Sequence, residues 1–239
     1  EIRFHLLSEL RQIYSEKESD SIARLIMEHL GYKVSDILLN PDQVPSPSTV
    51  AQINEFVAEI PSGKPIQYIL GQTYFCDLKI AVDKNVLIPR PETEEMVAHI
   101  KAMTPQPPQT IIDLGTGSGC LALALKQYFP GADVWGVDIS QGALSVASEN
   151  GRLNNLLINW GEMDLLDDHS WPRANRFSLV VSNPPYVMNS EKKGMANNVT
   201  GFEPWSALFV EDHDPLIFYR AIASFCKQYL EEEGEVWVE

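Results

Sequence analysis

The spacing of apolar residues predicts a helical region at the start of the chain. Apolar side chains recur every three or four positions in three stretches, at 4–14, 22–30 and 48–60, which is the repeat of an α-helix with one buried face. Gly31 follows the second stretch as a C-terminal stop. We therefore predict a small helical domain over residues 1–62, with its apolar stripes packed against one another.

The pattern then changes to short runs that are rich in β-branched and aromatic residues. These runs lie at 68–70, 73–75 and 78–82, and Gly71 separates the first two. Short runs of this kind between turn residues are typical of β-strands. We predict a β-hairpin over residues 63–90 that links the helical domain to the rest of the chain.

From Thr110 onward, candidate strands and candidate helices alternate, as they do in parallel α/β sheets, and a further helix begins at Pro91. The strand candidates are 110–114, 133–137, 156–160, 178–182 and 235–239, and the helix candidates are 118–129, 140–154 and 214–232. We predict an α/β fold over residues 91–239, with a doubly wound, Rossmann-like parallel sheet of order 3-2-1-4-5.

The last strand candidate, 235–239, is a nearly continuous apolar segment where the sequence stops. As the edge of a five-stranded sheet it would present unpaired backbone groups, which favours aggregation. We therefore expect the natural chain to continue past Glu239.

Net charge narrows the range of partners. The 239 residues include 33 Asp and Glu against 18 Lys and Arg, which gives a net charge of −15. A surface this acidic repels the phosphate backbone, so direct binding to long nucleic acid is not expected. An acidic field favours a basic protein as partner instead.

Membrane and metal chemistry are not expected either. No run of about 18 apolar residues occurs, so we expect no membrane span. The three cysteines, Cys76, Cys120 and Cys226, are odd in number and far apart, which fits a reducing cytoplasm better than a disulfide framework. The five histidines show no HxxxH spacing, and we expect no bound metal.

A glycine-rich turn follows the first strand of the predicted sheet, and its residues are Gly115, Thr116, Gly117, Ser118 and Gly119. Glycines let the backbone approach a ligand closely and leave helix N-terminal amides free for an anionic group. Asp138 ends the second strand, where a carboxylate accepts hydrogen bonds from ribose hydroxyls. The glycine spacing is neither that of a dinucleotide site nor that of a P-loop, and it favours S-adenosylmethionine, whose carboxylate would meet the turn.

A second motif, Asn183-Pro184-Pro185-Tyr186, follows the fourth strand directly. In a sheet of order 3-2-1-4-5 the first and fourth strands are neighbours, and their C-terminal ends open into one crevice. The prolines restrict the backbone, so the Asn183 side-chain oxygen and the Pro184 carbonyl form two acceptors suited to a planar –NH₂ group. Tyr186 offers an aromatic face to that group. The motif therefore predicts a site for an exocyclic or amide nitrogen.

These two motifs resemble those of class I S-adenosylmethionine-dependent methyltransferases that act on exocyclic or amide –NH₂ groups. Further segments resemble the peptide chain release factor glutamine methyltransferase (HemK/PrmC) family. They are Gly63-x-Pro65-x-x-Tyr68-x-x-Gly71-x-x-x-Phe75, Leu87-Ile88-Pro89-Arg90-Pro91-Glu92-Thr93-Glu94, and Phe202-Glu203-Pro204-x-x-Ala207-Leu208 with Phe218-Tyr219-Arg220. The resemblance covers nearly the whole chain.

The resemblance implies S-adenosylmethionine as the methyl donor, with S-adenosylhomocysteine as the product. The implied acceptor is the Gly-Gly-Gln loop of a class I release factor, which the N-terminal domain would recognise. We expect a cytoplasmic monomer. The residues implied for the cofactor are 115–119, Asp138, Asp164, Leu165 and Asn183. Those implied for the acceptor glutamine are Asn183, Pro184, Pro185, Tyr186, Arg90 and Glu92, with Asn183, Pro184 and Tyr186 as the catalytic group.

The sequence departs from the family pattern at Leu165, where members often have a tryptophan beside the adenine. Trp160 and Trp171 are nearby but out of register.

Three other functions stay open: adenine-N6 methylation of nucleic acid with the same site geometry, glutamine methylation of a ribosomal protein, and a non-catalytic binding module.

Overall fold

A computed structural model describes residues 2–32, 46–104, 106–171 and 176–239. The chain divides into two compact units, Glu1–Leu70 and Gly71–Glu239. The domain boundaries predicted at residues 62 and 90 stay predictions. In the described ranges, no helix is long and apolar enough to cross a bilayer.

The first unit is helical, as the apolar spacing predicts. Its described helices are α1 (Ile2–Leu10), α2 (Glu16–His29), α3 (Pro47–Glu59) and α4 (Ile66–Leu70), with a 3-10 turn at Ile60–Ser62. Leucine and isoleucine side chains from α1, α2 and α3 are fully buried in one core, among them Leu6, Leu10, Ile26 and Ile53. The apolar stripes therefore pack against one another.

Side-chain caps fix where α2 and α3 begin. The Ser15 hydroxyl accepts from the Glu18 amide at 3.4 Å, and the Glu18 carboxylate accepts from the Ser15 amide at 3.3 Å, which is a capping box. Ser46 accepts from the Thr49 amide at 3.1 Å in front of α3. Gly31, after α2, has a φ of 83°, the left-handed conformation that favours glycine at a helix end.

The predicted hairpin is present but shorter than the β-rich segment. Strands β1 (Gln72–Phe75) and β2 (Leu78–Ala81) pair antiparallel across Cys76 and Asp77, which both have positive φ, at 47° and 64°. Two such residues match the twist that a two-residue hairpin turn requires. The run at 68–70 is helical instead, within α4, because burial of its side chains outweighs a weak strand propensity.

The second unit is built on five parallel strands, with helices between them. The strands are β3 (Thr110–Leu114), β4 (Asp133–Asp138), β5 (Asn159–Glu162), β6 (Phe177–Ser182) and β9 (Leu230–Val238). The longer helices are α5 (Pro91–Met103), α6 (Cys120–Tyr128), α7 (Gln141–Leu153) and α9 (Ile217–Tyr229). Between β6 and α9 lie five short elements, namely β7 (Val187–Met188), α8 (Asn197–Thr200), β8 (Phe209–Val210) and two 3-10 turns at Asn189–Gly194 and Trp205–Ala207.

The strands lie in the order β5-β4-β3-β6-β9, all parallel, which confirms the predicted order 3-2-1-4-5. The third strand begins at Asn159 rather than 156, because the stretch before it belongs to a loop in which Leu157 is 87% exposed. The fifth strand begins at Leu230 rather than 235. On this last strand, Val236 and Val238 are exposed.

Strand order places the two predicted motifs at one edge of the sheet. β3 and β6 are direct neighbours, with Ile111 paired to Leu179. At their ends the Ser182 hydroxyl donates to the Leu114 carbonyl at 2.6 Å, in a fully buried contact. The glycine-rich turn after β3 and the motif after β6 therefore leave the sheet side by side.

One buried asparagine ties the hairpin to this edge. Asn150 on α7 accepts from the Ala81 amide at 2.7 Å through Oδ1, and its Nδ2 donates to the Ala81 and Ser118 carbonyls at 3.0 and 2.9 Å. The Asn150 side chain thus pairs with both the amide and the carbonyl of Ala81, the last residue of β2, as the backbone of a neighbouring strand would. It also connects that strand with the glycine-rich turn.

Candidate active site

A cavity of about 350 Å³ opens at the C-terminal ends of the central strands. Its walls come from the turns after β3 and β4, the loop after β5, the motif after β6 and the segment before α5. Most predicted site residues line it, namely Gly115, Thr116, Gly117, Ser118, Asp138, Asp164, Leu165, Asn183, Pro184, Pro185 and Arg90. Gly119, Tyr186 and Glu92 do not.

Backbone geometry leaves the turn after β3 open on one side. Gly115 and Gly117 have φ values of 74° and 54°, and a Cβ added at either would meet no atom within 4 Å. Glycine is favoured here by the left-handed backbone rather than by crowding. The amides of Gly115 and Thr116 both donate to the Val137 carbonyl, at 2.9 and 2.8 Å. These two amides are therefore not free to bind a ligand, because the turn is hydrogen-bonded to the next strand; that the amides at the start of α6 receive an anionic group stays a prediction.

Tight packing holds the same turn from behind. The indole of Trp160, on β5, fills the space beside Gly119 and Gly136. A Cβ added at Gly119 would lie 2.7 Å from Trp160 Cη2, and one added at Gly136 would overlap the same ring. Trp160 does not line the cavity. It supports the turn and is not a platform for a base.

Asp138 joins the end of β4 to the glycine-rich turn. Its Oδ2 accepts from the Gly117 amide and its Oδ1 from the Ser140 amide, both at 2.9 Å. Burial raises the pKa of this carboxyl, and the backbone hydrogen bonds act in the opposite direction. A carboxylate oxygen can accept more than one hydrogen bond, so both oxygens can still bind ribose hydroxyls.

A fully buried acid on the cavity wall, Asp113, is absent from the predicted site residues. Thr116 Oγ1 donates to its Oδ2 at 2.5 Å. Desolvation raises the pKa of Asp113 to about 7, although the Thr116 hydroxyl and the Ala122 amide lower it by donating hydrogen bonds. An acid among the apolar residues Ile111, Ile112 and Leu114 of β3 is the signal that could have identified it.

The loop after β5, where the resemblance places the adenine, offers mainly aliphatic surface. Leu165 lines the cavity and is 8% exposed, and it shares a core cluster with Met163 and Trp171. Trp171 packs edge-on against Phe225, with ring centroids 5.3 Å apart, and does not line the cavity. Neither nearby tryptophan therefore takes the place of the one that Leu165 replaces.

Asn183 is held by a chain of hydrogen bonds at the end of β6. Its Nδ2 donates to Thr93 Oγ1 at 3.1 Å, and Thr93 Oγ1 donates to Glu239 Oε2 at 2.5 Å. Because the amide nitrogen is directed to Thr93, Oδ1 is the atom left to accept from a ligand. Pro184, the next residue, is buried and also lines the cavity. This orientation is the one that the predicted –NH₂ site requires.

The other predicted acceptor-site residues have different surroundings. Tyr186 is 47% exposed, and Glu92 is exposed on the first turn of α5. Arg90 lines the cavity, but its Nη2 donates to Glu203 Oε1 at 2.7 Å, and Glu203 Oε2 accepts from the Ile88 amide at 3.2 Å. The Glu203 carboxylate is buried, so this ion pair fixes the segment before α5. A role for Arg90 and Glu92 in substrate binding stays a prediction.

Several wall residues lie outside the predicted set. Thr93, Ala207 and Phe218 line the cavity and stand in the segments that carry the family resemblance, which is a signal for them. The stretch 85–89 and Met163 also line it.

One cluster in the described part of the chain has metal-ligating residue types. It consists of Asp167, Asp168 and His169, which are all exposed. None of the three lines the cavity.

The cavity suits S-adenosylmethionine. The glycine-rich turn leaves open space where side chains would stand, Asp138 offers acceptors for a ribose, and Leu165 and Met163 offer apolar contact for a base. The volume of about 350 Å³ is within the range of small-ligand sites. This turn, this acid and a five-stranded parallel sheet together define an S-adenosylmethionine-dependent methyltransferase.

Comparison with known proteins specifies the family. The models described as methyltransferase small domain and PrmC N-terminal domain match residues 93–200 and 1–71. A release factor glutamine methyltransferase of Flavobacterium psychrophilum is 39% identical over 242 residues, covering 99% of this chain and 84% of that protein. Another, of Bacteroides thetaiotaomicron, is 35% identical over 239 residues, covering 100% and 85%. The chain belongs to the release factor glutamine methyltransferase family.

Solved structures give weaker matches. The ribosomal protein L11 methylase of Lactobacillus delbrueckii subsp. bulgaricus is 25% identical with a TM-score of 0.42, covering 62% of this chain and 60% of that one. An S-adenosylmethionine-dependent methyltransferase of Clostridium acetobutylicum is 17% identical with a TM-score of 0.41, covering 63% and 50%. The family assignment therefore depends on the sequence relatives.

Proposed function

We propose that this protein transfers a methyl group to the side-chain amide nitrogen of the glutamine in the Gly-Gly-Gln motif of a class I peptide chain release factor. The observation that supports this most directly is the orientation of Asn183, whose Nδ2 is bound to Thr93 so that Oδ1 remains as an acceptor. Pro184 lines the same cavity, and in this proposal its carbonyl is the second acceptor. Two acceptors at one place favour a group that donates two hydrogens.

S-adenosylmethionine, when bound, supplies a methyl group carried on a positively charged sulfur. The amide nitrogen of glutamine is a weak nucleophile, because its lone pair is delocalised into the carbonyl. The nitrogen becomes positive in the transition state, and Asn183 Oδ1 and the Pro184 carbonyl stabilise that charge through its two N–H bonds. They also hold the nitrogen in one orientation. Methyl transfer forms the C–N bond as the S–CH₃ bond breaks, which leaves S-adenosylhomocysteine. The methylated nitrogen is acidic and releases one proton to solvent water, so no general base with a perturbed pKa is required.

Residues 1–62 supply the docking surface in this proposal, and the net charge of −15 favours a basic partner. A single glutamine side chain offers few contacts, so remote binding energy is needed to hold it beside the methyl donor. We therefore expect an intact release factor to be methylated with a much higher kcat/KM than a short Gly-Gly-Gln peptide.

The test offers labelled S-adenosylmethionine with one of four acceptors: a release factor, the peptide, ribosomal proteins or a DNA duplex. Selective labelling of the release factor glutamine supports the proposal. Equal use of peptide and intact factor would contradict the docking role. Preferential labelling of a ribosomal protein or of duplex adenine would replace the proposed substrate. We also expect a monomer in size-exclusion chromatography, and a cytoplasmic location.

A further inference from the structure

We propose that Thr93 is a positioning residue that determines which way the Asn183 side-chain amide faces, and that Glu239 determines the direction of the Thr93 hydroxyl. The inference rests on the proposed function of the Asn183 site. The three residues are distant in sequence, since 90 positions separate Thr93 from Asn183 and 146 separate it from Glu239. They meet where the first turn of α5 lies against the ends of β6 and β9.

The number of protons on each group fixes the direction of each hydrogen bond in this chain. A carboxylate accepts hydrogen bonds only, and a hydroxyl has one proton to donate. Thr93 Oγ1 uses its proton on Glu239 Oε2, at 2.5 Å. Toward Asn183 it can then offer only lone pairs, so the amide must present Nδ2 to it, at 3.1 Å.

The alternative orientation would disable the site. An asparagine amide has nearly the same shape after a half-turn, with its oxygen and nitrogen exchanged. In the exchanged form Nδ2 would face the acceptor substrate, and a donor would meet the hydrogens of the substrate –NH₂. That arrangement is repulsive where the transition state requires an acceptor. The hydroxyl and carboxylate behind Asn183 exclude it.

Burial and backbone contacts keep the chain of hydrogen bonds in place. Thr93 is 3% exposed, so water cannot readily substitute for either of its partners. The Glu239 amide donates to the carbonyl of Ser182, the residue before Asn183, at 3.2 Å. The Tyr219 hydroxyl donates to the Glu239 carbonyl at 2.9 Å. Glu239 is therefore fixed to the last residue of β6, directly before Asn183.

The chain contains a matched pair that can serve as a control. Thr104, the residue after α5, donates from Oγ1 to Glu235 Oε2 at 3.3 Å, which joins the other end of this helix to β9, the strand that Glu239 follows directly. Neither residue lines the cavity. Substitutions of Thr104 and Glu235 thus remove the same kind of bond between the same two elements, without touching Asn183.

The first experiment compares Thr93→Val, Thr93→Ser and Thr104→Val in the full chain. We expect Thr93→Val to lower kcat by about tenfold to a hundredfold, the scale of a misplaced catalytic group. The dissociation constant for S-adenosylmethionine, measured by calorimetry, should stay unchanged. Thr93→Ser retains the hydroxyl, so its kcat should be close to that of the wild type. Thr104→Val should leave kcat unchanged.

The carboxylate is tested by Glu239→Gln against Glu235→Gln. A glutamine can donate to Thr93 Oγ1, which releases the hydroxyl proton and admits the exchanged amide. We expect a lower kcat for Glu239→Gln only, while both variants melt at similar temperatures. Equal kcat values for the two variants would overturn the role of Glu239.

A double variant separates positioning from a general structural role. If Thr93 acts through Asn183, then Thr93→Val should cause no further loss of kcat in an Asn183→Ala protein. A kcat of the double variant that is lower than that of Asn183→Ala by the factor seen for Thr93→Val alone would overturn the proposal. A wild-type kcat for Thr93→Val alone would overturn it too. A wild-type protein that labels no release factor would contradict the proposed function instead.

NMR spectroscopy tests the orientation of the Asn183 side chain separately, without any methyl transfer. The Asn183 side-chain amide resonances in ¹⁵N-labelled protein, assigned from their loss in Asn183→Ala, should shift in Thr93→Val and Glu239→Gln but not in Thr104→Val. Unshifted resonances would overturn the inference, whatever the substrate.

Discussion

The two halves of the cavity are positioned by different parts of the chain. In the half predicted to bind the cofactor, the shape of the site is determined mainly by the main chain, through its conformation and its hydrogen bonds. The turn has left-handed glycines, its amides bond to Val137 and Asp138, and Trp160 packs behind it. In the half predicted to bind the acceptor, side chains position other side chains, from Glu239 to Thr93 to Asn183.

This difference determines how each half should respond to substitution. Groups bonded to the turn contribute to the fold and are predicted to bind the cofactor, so changing them should alter stability and affinity together. Asn183 makes one side-chain hydrogen bond at the end of its strand, so its loss should alter turnover with little change in stability. Measuring the two quantities side by side tests the distinction.

The largest effect should follow Asn183→Ala. In the proposed mechanism the substitution removes an oriented acceptor that stabilises positive charge in the transition state, and we expect kcat to fall by about 10²–10³, or about 2.7–4 kcal/mol. Affinity for S-adenosylmethionine and melting temperature should change little. Kinetics with labelled cofactor, together with calorimetry, measure both. Turnover close to that of the wild type would mean that the amide is activated in another way.

On the cofactor side, Asp138→Ala should weaken S-adenosylmethionine binding by about 1.5–3 kcal/mol, the range for hydrogen bonds to a charged group. It should also lower the melting temperature, because the Gly117 and Ser140 amides lose their acceptor. Calorimetry and thermal melting check the two effects.

Asp133→Ala is the matched control for Asp138→Ala, since Asp133 begins the same strand, away from the cavity. Its affinity for the cofactor should equal that of the wild type. Unchanged affinity in Asp138→Ala as well would contradict the ribose assignment.

The buried acid on this side predicts a dependence of stability on pH. The folded protein raises the pKa of Asp113 from 3.8 to about 7, so its native state retains a proton that the unfolded state releases. The resulting stability is fully present below about pH 4 and is lost as pH rises toward 7. Between pH 5 and 7, Asp113 should account for a loss of about 2 kcal/mol in the free energy of unfolding.

Asp113→Asn should remove this part of the pH dependence, as measured by urea denaturation at several pH values. Glu232→Gln, which removes an exposed carboxylate on β9, controls for the change in net charge. Parallel pH profiles for Asp113→Asn and the wild type would show that the acid does not retain its proton.

Local and strand-level features of this protein are predictable from its sequence, and contacts between distant residues are not. The turn at 115–119 and the motif at 183–186 each depend on a few consecutive residues, and strand order then brings them to one edge. The link from Thr93 to Asn183 joins elements 90 positions apart, so no local pattern contains it. The same holds for Trp160, whose ring fits beside glycines on other elements.

The smallest effect should follow Tyr186→Ala, and it indicates where the acceptor half ends. The sequence predicts that this ring faces the –NH₂ group, whereas the side chain is 47% exposed and does not line the cavity. An aromatic contact made only on substrate binding contributes about 0.5–1.5 kcal/mol, so kcat/KM should fall by about tenfold at most. Tyr186→Phe should retain the wild-type value, because the contact needs the ring and not the hydroxyl. A loss in Tyr186→Ala as large as that in Asn183→Ala would instead place Tyr186 in direct contact with the reacting nitrogen, and the acceptor half would then extend beyond Pro185.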